Sequence, residues 1–475
     1  MRVLKPARRL AAFAASLLVS ACAGVSPDGG MNVPARLASH TLGSEVVHVR
    51  SEDDASRVRA QLASLLKKPL TEHSAVQIAL LNNRGLQAAY DELGIADATR
   101  LQQSLPPNPS LSLTRIAGPA ETEIDRQIVA GILSLATLPM RTEIAADRFR
   151  QAQIAAALET LRVAADARRD FTRAVAAREM VGLLEQANAA AATTAQLAKR
   201  LGASGAMNKL DQARELAFQA ELATQLASAR QRADSERERL IRTLGLWGSD
   251  LEFKLPSRLP ALPERPLSLP QVEQDAVSRR LDLQMARIDM ATLAKSYGLT
   301  KSTRFINVLD AGYADKITRN KDSGERTHDR GFTVSLEVPI FDFGEARLRE
   351  AEATYLQAVN RLAEKAVNVR SEAREAYRNY RATYDIARHY QKDVLPLRQT
   401  ISDEMMLRYG AMQVDVFALL AEARQKITVN TAAVEAQRDF WLADSDLSAV
   451  IAGGGTGGVE TTTATMSATS TSAGH

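Results

Sequence analysis

Hydrophobic and polar residues alternate strictly in residues 332–338, and a very long helical pattern follows directly. The apolar positions of the alternation are Phe332, Val334, Leu336 and Val338. A period of two predicts a strand with one apolar and one polar face, which ends at Pro339 because proline has no N–H to donate. Residues 345–394 contain no proline or glycine, which predicts a helix of roughly 75 Å at 1.5 Å per residue. The same stretch also fits a hairpin edge followed by a coiled coil.

The chain contains an internal repeat. Six residues recur at an offset of 197, as 266 − 69 shows: Pro69, Leu70, Ala79, Leu86, Gln87 and Ala89 return as Pro266, Leu267, Ala276, Leu283, Gln284 and Ala286. Further on, Pro139 recurs as Pro339, and Gly205-Ala206-Met207 recurs as Gly410-Ala411-Met412. The ordered, slowly growing offset predicts two copies of one structural unit.

Each unit is predicted to run helix, two strands, long helix, tight turn and returning helix. In the first unit the helices are 70–103, 140–201 and 208–246, and the strands are 110–116 and 127–135. In the second the helices are 271–298, 345–409 with a bend at Pro396 and 413–451, and the strands are 305–313 and 332–338, separated by a charged loop at 316–330. The predicted domains are a signal peptide 1–21, a lead-in 22–65, repeat one 66–248, a proline-rich connector 249–271, repeat two 272–453 and a disordered Gly/Thr/Ser tail 454–475.

Composition excludes several classes of function. The chain has 475 residues, with 60 Lys and Arg against 56 Asp and Glu, so the net charge of +4 gives no case for a nucleic-acid partner. A single cysteine excludes an intrachain disulfide and a cysteine-rich metal site. The histidines have no metal-ligand spacing, and no nucleophile–base cluster or phosphate loop is visible. We therefore expect no enzyme activity, no metal site and no cofactor.

The N-terminus is typical of an exported bacterial lipoprotein. Four basic residues precede an apolar core, residues 10–19, which is too short to span a bilayer. The core ends in Val19-Ser20-Ala21-Cys22, which matches a lipobox. The sequence predicts lipidation at Cys22; the alternative is a plain signal peptide with a chance cysteine. Acyl chains would anchor the mature N-terminus, since each buried methylene adds about 0.8 kcal/mol.

The four predicted strands set a counting problem. Each has about the length that crosses a tilted bilayer path. Four strands cannot close a barrel, and open sheet edges are not tolerated in lipid. A barrel must therefore be shared between chains, and three chains would supply 4 × 3 = 12 strands.

Here the sequence resembles the TolC-like outer-membrane efflux proteins, in their lipoprotein branch. The resemblance covers about residues 66–453. It rests on the duplicated plan, Leu336-Glu337-Val338-Pro339-Ile340-Phe341-Asp342-Phe343-Gly344, Pro107-Asn108-Pro109, and the glycine turn followed by Val414-Asp415-Val416. The resemblance implies an α+β membrane protein: a homotrimer with a 12-stranded outer-membrane β-barrel, continued by a long α-helical periplasmic barrel. It also implies two protein partners, a periplasmic adaptor (membrane fusion) protein and an inner-membrane pump. Ala23 after the cysteine resembles the signal for sorting to the outer membrane.

The same resemblance implies roles for individual residues. Adaptor contact at the periplasmic tips is expected of Arg200, Gly202, Gly205, Arg408, Gly410 and Met412, although these residues could simply turn the chain. Lipid contact is expected of Phe332, Val334, Leu336 and Val338. Tyr409 and Asp415 are the expected periplasmic gate, in which three copies of Asp415 would form a negative ring that favours cations. Ala418 stands where relatives carry a second aspartate. Glu422, one helical turn further on, is the candidate that would replace that aspartate. Asp415 could equally be an acid favoured at a helix start.

Two functions of different classes follow. The first is the outer-membrane channel of a tripartite efflux or export system, which conducts small molecules or metal ions. The second is a periplasm-spanning coiled-coil lipoprotein that transports nothing. A stalk of that kind needs no apolar-faced strands, so the strands favour the channel. Met405, Met406 and Met412 near one tip suggest soft metals as cargo, but methionine is also a common packing residue.

Overall fold

The internal repeat forms two successive sets of helices and strands in the computed structural model, which describes residue 24 and residues 26–453. Within the described residues, the repeats are preceded by α1 Asn32–Leu37, which runs into a π-helical turn Ala38–Leu42, and by α2 Glu52–Leu66. The first repeat contains α3 Glu72–Asn82, α4 Arg84–Ser104, β1 Ser110–Ala117, β2 Glu121–Gly131, α5 Ile132–Ala136, α6 Leu138–Ala203 and α7 Lys209–Leu244. The second contains α8 Val272–Arg279, α9 Leu281–Ser302, β3 Val308–Asn320, β4 Arg326–Glu337, α10 Glu345–His389, α11 Leu395–Gly410 and α12 Val416–Ala452.

The first predicted helix of each repeat is divided in two, at equivalent positions (280 − 83 = 197). Asn83 separates α3 from α4, and its side chain accepts a hydrogen bond from the amide of Leu86 at 3.0 Å. Arg280 separates α8 from α9 and is only 2% exposed. Its guanidinium pairs with Asp282 at 2.7 Å and also with Glu372 of α10. At each break a side chain forms hydrogen bonds or ion pairs, so the change of direction between the two helices is stabilised.

The four strands form one antiparallel sheet in the order β1-β2-β3-β4. Several predicted strand boundaries were wrong: residues 121–126 belong to β2, residues 326–330, predicted as loop, belong to β4, and β3 begins at Val308. Residues 316–320, predicted as loop, belong to β3, because charged residues there pair across the sheet, as Lys316 does with Glu123 at 2.8 Å. Residues 132–135, predicted as strand, lie in α5, which turns the chain from the sheet into α6.

Small side chains pack the longest helix, α6, against its neighbours. Its 66 residues correspond to about 100 Å. Half of its 26 buried residues are alanines, 13 in all. Near its far end, Ala187 and Ala191 pack on Leu222 and Leu226 of α7. Alanine combines high helix propensity with close backbone approach, so it serves both the length of α6 and its contact with α7.

The second long helix is interrupted close to the predicted bend. A π-helical turn, Tyr390–Val394, joins α10 to α11, and Pro396 lies in the first turn of α11. Proline removes one intrahelical donor and clashes with the preceding turn, and a π-turn accommodates such a disruption.

The proline-rich connector between the repeats is held by side chains from the helices. Tyr384 donates a hydrogen bond to the carbonyl of Pro263 at 2.9 Å, and the Tyr380 hydroxyl accepts one from the amide of Leu267 at 3.0 Å. Both tyrosine rings also pack on Phe440 of α12. The connector is therefore part of the core of the second repeat. Across the described part of the chain, every helix is too short or too polar to cross a membrane.

We predict that Ala191→Leu destabilises the α6–α7 hairpin by about 1 to 3 kcal/mol, because the larger side chain overpacks a closed contact. The adjacent Ala190 is exposed, so Ala190→Leu is the matched control and should change stability by less than about 0.5 kcal/mol. Thermal unfolding followed by far-UV circular dichroism measures both. Equal losses for the two variants would contradict the role given to the alanine contact.

Candidate functional site: an exposed sheet and two helical tips

One face of the sheet is apolar and exposed along the half of the strands nearer the helices, whereas the next row on that face, Leu113, Arg126, Asp315 and Arg330, is mainly charged. In the apolar half, the strand register aligns four residues in a row: Leu111, Ile128, Tyr313 and Phe332. All four are exposed, Phe332 at 86%. On the same face of β4, Val334 and Leu336 are exposed as well. A contiguous apolar surface of this kind marks a contact with lipid or with another protein.

The opposite face of the sheet is polar. The register places two rows there: Ser110, Val129, Gly312 and Thr333, with hydroxyl residues on the two outer strands, then the fully polar row Thr114, Asp125, Lys316 and Asp329. Asp310 lies opposite Ser335 on this face. The sheet therefore has one face suited to hydrocarbon and one suited to water.

Both outer edges of the sheet are open. Within the part of the chain that the structure describes, β1 pairs only with β2 and β4 pairs only with β3. The outward N–H and C=O groups of β1 and β4 therefore have no partner strand. Such edges pair readily with another chain.

The two helical tips lie equally far from the sheet along the chain. The first tip follows α6, which has 66 residues. The second follows the run from the start of α10 to the end of α11, Glu345 to Gly410, which is also 66 residues (410 − 345 + 1). At 1.5 Å per residue each run covers about 100 Å. The equal lengths bring both tips to the same level.

The two tips share one hydrogen-bond scheme. In the first, the amides of Ser204, Gly205 and Ala206 donate to the carbonyls of Arg200, Gly202 and Leu201 at 3.1, 3.2 and 2.9 Å. In the second, the amides of Ala411, Met412 and Gln413 donate to the carbonyls of Leu407, Tyr409 and Arg408 at 3.0, 3.0 and 2.9 Å. This is a helix C-cap of the Schellman type. The structural offset between the tips is 207 (412 − 205), not the 205 that the Gly-Ala-Met match indicates.

The shifted register gives the left-handed positions of the two turns to different residue types, and adaptor contact by these residues stays a prediction. Gly205 has a positive φ of 77°, as a C-terminal glycine should. Gly410 is the last residue of α11, and the left-handed position of its turn belongs to Met412, with φ 58°. Gly202 has no positive φ either; an added Cβ there would meet the Gln212 side chain at 2.6 Å. Gly202 therefore allows close approach of α7.

The residues expected at the gate lie on one tip. Asp415 is the N-cap of α12, and its carboxylate accepts a hydrogen bond from the amide of Ala418 at 2.8 Å. Glu422, the expected substitute for a second acid, pairs with Arg398 at 3.1 Å. Within the chain its charge is thus compensated. Tyr409 is partly exposed, and Met412 is 94% exposed.

The exposed arginines of the tips differ in their partners. Arg408 pairs with Glu404 at 3.0 Å, one helical turn away. Arg200 is exposed and lies in the last turn of α6, where its backbone carbonyl accepts a hydrogen bond from the amide of Ser204. Both cations lie where the helix dipole favours positive charge. Each is therefore accessible to a partner at the tip.

An ion pair that sequence reasoning missed joins the two tips. Arg424 of α12 donates to Glu215 of α7 at 2.8 Å, and its guanidinium lies 4.3 Å from the ring centroid of Phe218. Glu215 is only 5% exposed. Both residues lie six to eight positions after their helix starts, which is the only sequence signal. Their pairing depends on how the two hairpins pack, so sequence alone could not find it.

Comparison with known proteins finds a family match over part of the chain. The sequence profile of the family described as "Outer membrane efflux protein" matches residues 272–402. Residues 272–402 of this chain therefore resemble the outer-membrane efflux proteins. The matched part runs from α8 through β3 and β4 into α11, so it includes the apolar strand and the second long helix.

Similar proteins come from several bacteria. The cobalt-zinc-cadmium resistance protein CzcC of Cupriavidus metallidurans is 25% identical over 297 residues, which is 60% of this chain and 66% of that protein. A crystal structure of CusC has a TM-score of 0.67 at 16% identity and covers 81% of this chain and 92% of that one. The Campylobacter jejuni CmeC outer-membrane channel has a TM-score of 0.69 at 15% identity, over 81% of this chain and 86% of that one.

The family resemblance inferred from the sequence is thereby confirmed, and so is a mainly helical fold with a four-stranded sheet. The lipoprotein branch stays a prediction, because Cys22, like the predicted signal peptide and the Gly/Thr/Ser tail, lies outside the described residues. The individual tip, gate and lipid-facing roles also stay predictions. Among residues 26–453, the structure groups no three His, Cys, Asp or Glu side chains in a way that could hold a metal ion.

We predict that Gly205→Ala weakens the end of α6 by about 1 kcal/mol, because an L-residue with positive φ is strained. The space around the added Cβ is open, so backbone strain is the only cost. Hydrogen exchange by mass spectrometry should show faster exchange at residues 202–207. Gly182→Ala is the matched control: it lies inside α6 with open space around it and should stabilise by about 0.5 to 1 kcal/mol. Slower exchange in Gly205→Ala would refute the prediction.

Proposed function

We propose that this chain is the outer-membrane channel of a tripartite efflux or export system. One observation carries the proposal: an exposed apolar sheet face with two open edges lies at one end of the chain, about 100 Å along the helices from a pair of matched tips. The sheet end suits a membrane. The tip end suits a protein partner across the periplasm.

The assembly that fits the sheet is a homotrimer with a 12-stranded β-barrel. The edge of β1 in one chain would pair with the edge of β4 in the next, which leaves no backbone group unpaired in lipid. The Phe332 face would contact lipid and the Thr333 face would line the water-filled interior. The long helices would continue the barrel as a helical tunnel in the periplasm.

A lipid anchor at Cys22 agrees with the position of the first described residues. The carbonyl of Gly24 accepts a hydrogen bond from Arg100 at 3.4 Å, and the amide of Ser26 donates to Asp97 at 2.7 Å. Arg100 lies four residues before the end of α4, which leads to β1. The mature N-terminus would thus begin beside the sheet, at the level of the outer membrane.

The tips would meet a periplasmic adaptor protein that is itself joined to an inner-membrane pump. Support comes from the exposed Arg200, Arg408 and Met412 and from the equal level of the two turns. The name of CzcC makes cobalt, zinc and cadmium the first cargo to test. A transport-free coiled-coil stalk is the alternative, and it leaves the exposed apolar row of the sheet without a role.

We predict that Phe332→Lys abolishes channel function, because lysine on a lipid face costs about 2 to 4 kcal/mol near the bilayer midplane. A deletion strain should become sensitive to cobalt, zinc, cadmium, antibiotics, bile salts or dyes. The parent gene should restore growth, and Phe332→Lys should not. Heat-modifiable trimer on semi-native gels should be lost in parallel.

The matched control is Ser335→Lys, on the polar face opposite Asp310. It should restore both growth and trimer. Equal behaviour of the two lysine variants would contradict a lipid-facing sheet. A Phe332→Lys protein that is monomeric, in a strain that still tolerates the compounds, would favour the stalk.

We predict that removing the charge of Asp415 raises single-channel conductance or weakens cation block in planar bilayers, because three copies would ring the tunnel mouth. Asp415→Ala removes both the charge and the N-cap, whereas Asp415→Asn keeps a good cap. Both variants should change conductance if the charge matters. A change in Asp415→Ala alone would assign the effect to the helix cap, and no change in either would exclude the gate.

A further inference from the structure

A cavity of about 310 Å³ opens between α4, α6 and α9. Three arginines line it, Arg100, Arg141 and Arg148, together with Phe149, Ile144 and Ser296. No aspartate or glutamate is among its lining residues. A cavity with three guanidinium groups and an aromatic ring suits an anionic group attached to an apolar body.

Its charge is only partly compensated. Arg100 pairs with the buried carboxylate of Asp97 at 2.7 Å and lies 5.2 Å from the centroid of the Phe149 ring. Among the described residues, no carboxylate forms an ion pair with Arg141 or Arg148, whereas Arg150 and Arg162 on the same helix are paired. Arg100 is thus fixed by Asp97, and the other two arginines are available for a ligand. One guanidinium group can donate two parallel hydrogen bonds to two oxygens of the same phosphate.

The cavity lies at the sheet-proximal ends of the three helices. Arg141 is three residues after the start of α6, Arg100 is four before the end of α4, and Ser296 is six before the end of α9. At 1.5 Å per residue these positions lie within about 10 Å of the helix ends that lead to the strands. If the strands cross the outer membrane, as proposed above, the cavity faces the headgroups of the periplasmic leaflet.

The N-terminal segment lies at the rim of this cavity. Arg100 and Asp97 hold Gly24 and Ser26 there. Cys22 is two residues before Gly24, which limits its distance to about 7 Å of extended chain. The predicted anchor would therefore enter the leaflet beside the cavity, among the phospholipid headgroups.

We propose that this arginine cavity binds the phosphate headgroup of an anionic phospholipid of the periplasmic leaflet. The proposal rests on the proposed function, which sets the level of the membrane. The diacylglyceryl group of Cys22 itself is neutral and has no use for two uncompensated arginines. A headgroup phosphate matches their charge, and Phe149 with Ile144 can contact the glycerol and the first methylenes.

Native mass spectrometry of the detergent-purified full chain tests the site, with phosphatidylglycerol, phosphatidylcholine and inorganic phosphate as probes. Phosphatidylglycerol should bind at least tenfold more tightly than phosphatidylcholine. The double variant Arg141→Gln/Arg148→Gln should weaken phosphatidylglycerol binding at least tenfold. Arg287→Gln, on an exposed part of α9 outside the cavity, is the matched control and should bind as the parent does.

Three results would overturn the inference: equal binding of the two lipids, unchanged binding by the double variant, or complete displacement of the lipid by an equal concentration of inorganic phosphate. Tenfold tighter binding in Cys22→Ser would also overturn it, since the anchor itself would then occupy the cavity. Bilayer conductance of the same preparations separates the two proposals. Lipid preference without conductance would count against the channel alone, and conductance without lipid preference against this site alone.

Discussion

The constraint on which the rest depends is the hydrogen bonding of the two sheet edges. Four strands leave one row of backbone groups unpaired on β1 and another on β4, and lipid offers no partner for either row. A sheet with an apolar face on one side and polar rows on the other is stable in a membrane only as part of a closed ring. The proposed trimer follows from that requirement.

The long helices continue from the strands of the sheet and pack closely along their length. Alanine supplies half of the buried residues of α6, so the helices pack closely without bulky side chains. The two helical runs that lead to the tips, α6 and α10 through α11, have equal numbers of residues, although the second contains a π-turn at Tyr390–Val394. This equal length is what brings both tips to one level, where a single partner can contact both.

The tips show how two sequences reach one geometry. Gly205 and Met412 occupy the same left-handed position, and Asn208 and Asp415 are equivalent N-caps at the offset of 207. The sequence match of Gly-Ala-Met was two residues out of register, because hydrogen bonding fixes the turn and residue identity only favours it. The pair of Glu215 with Arg424 joins residues 209 positions apart, which no local pattern reveals.

The sequence by itself determined the repeat, the long helices, the alternation of β4 and the family, because these depend on local periodicity and on the placement of proline and glycine. It did not determine the full lengths of β2, β3 and β4, where cross-strand ion pairs such as Lys316–Glu123 and Arg330–Asp315 override a charged, loop-like composition. Only the tertiary structure decided that Asp415 caps α12, that Glu422 is neutralised by Arg398 and that three arginines converge beside the sheet. Each of these facts depends on distances between helices, and such distances are set by packing across the whole chain.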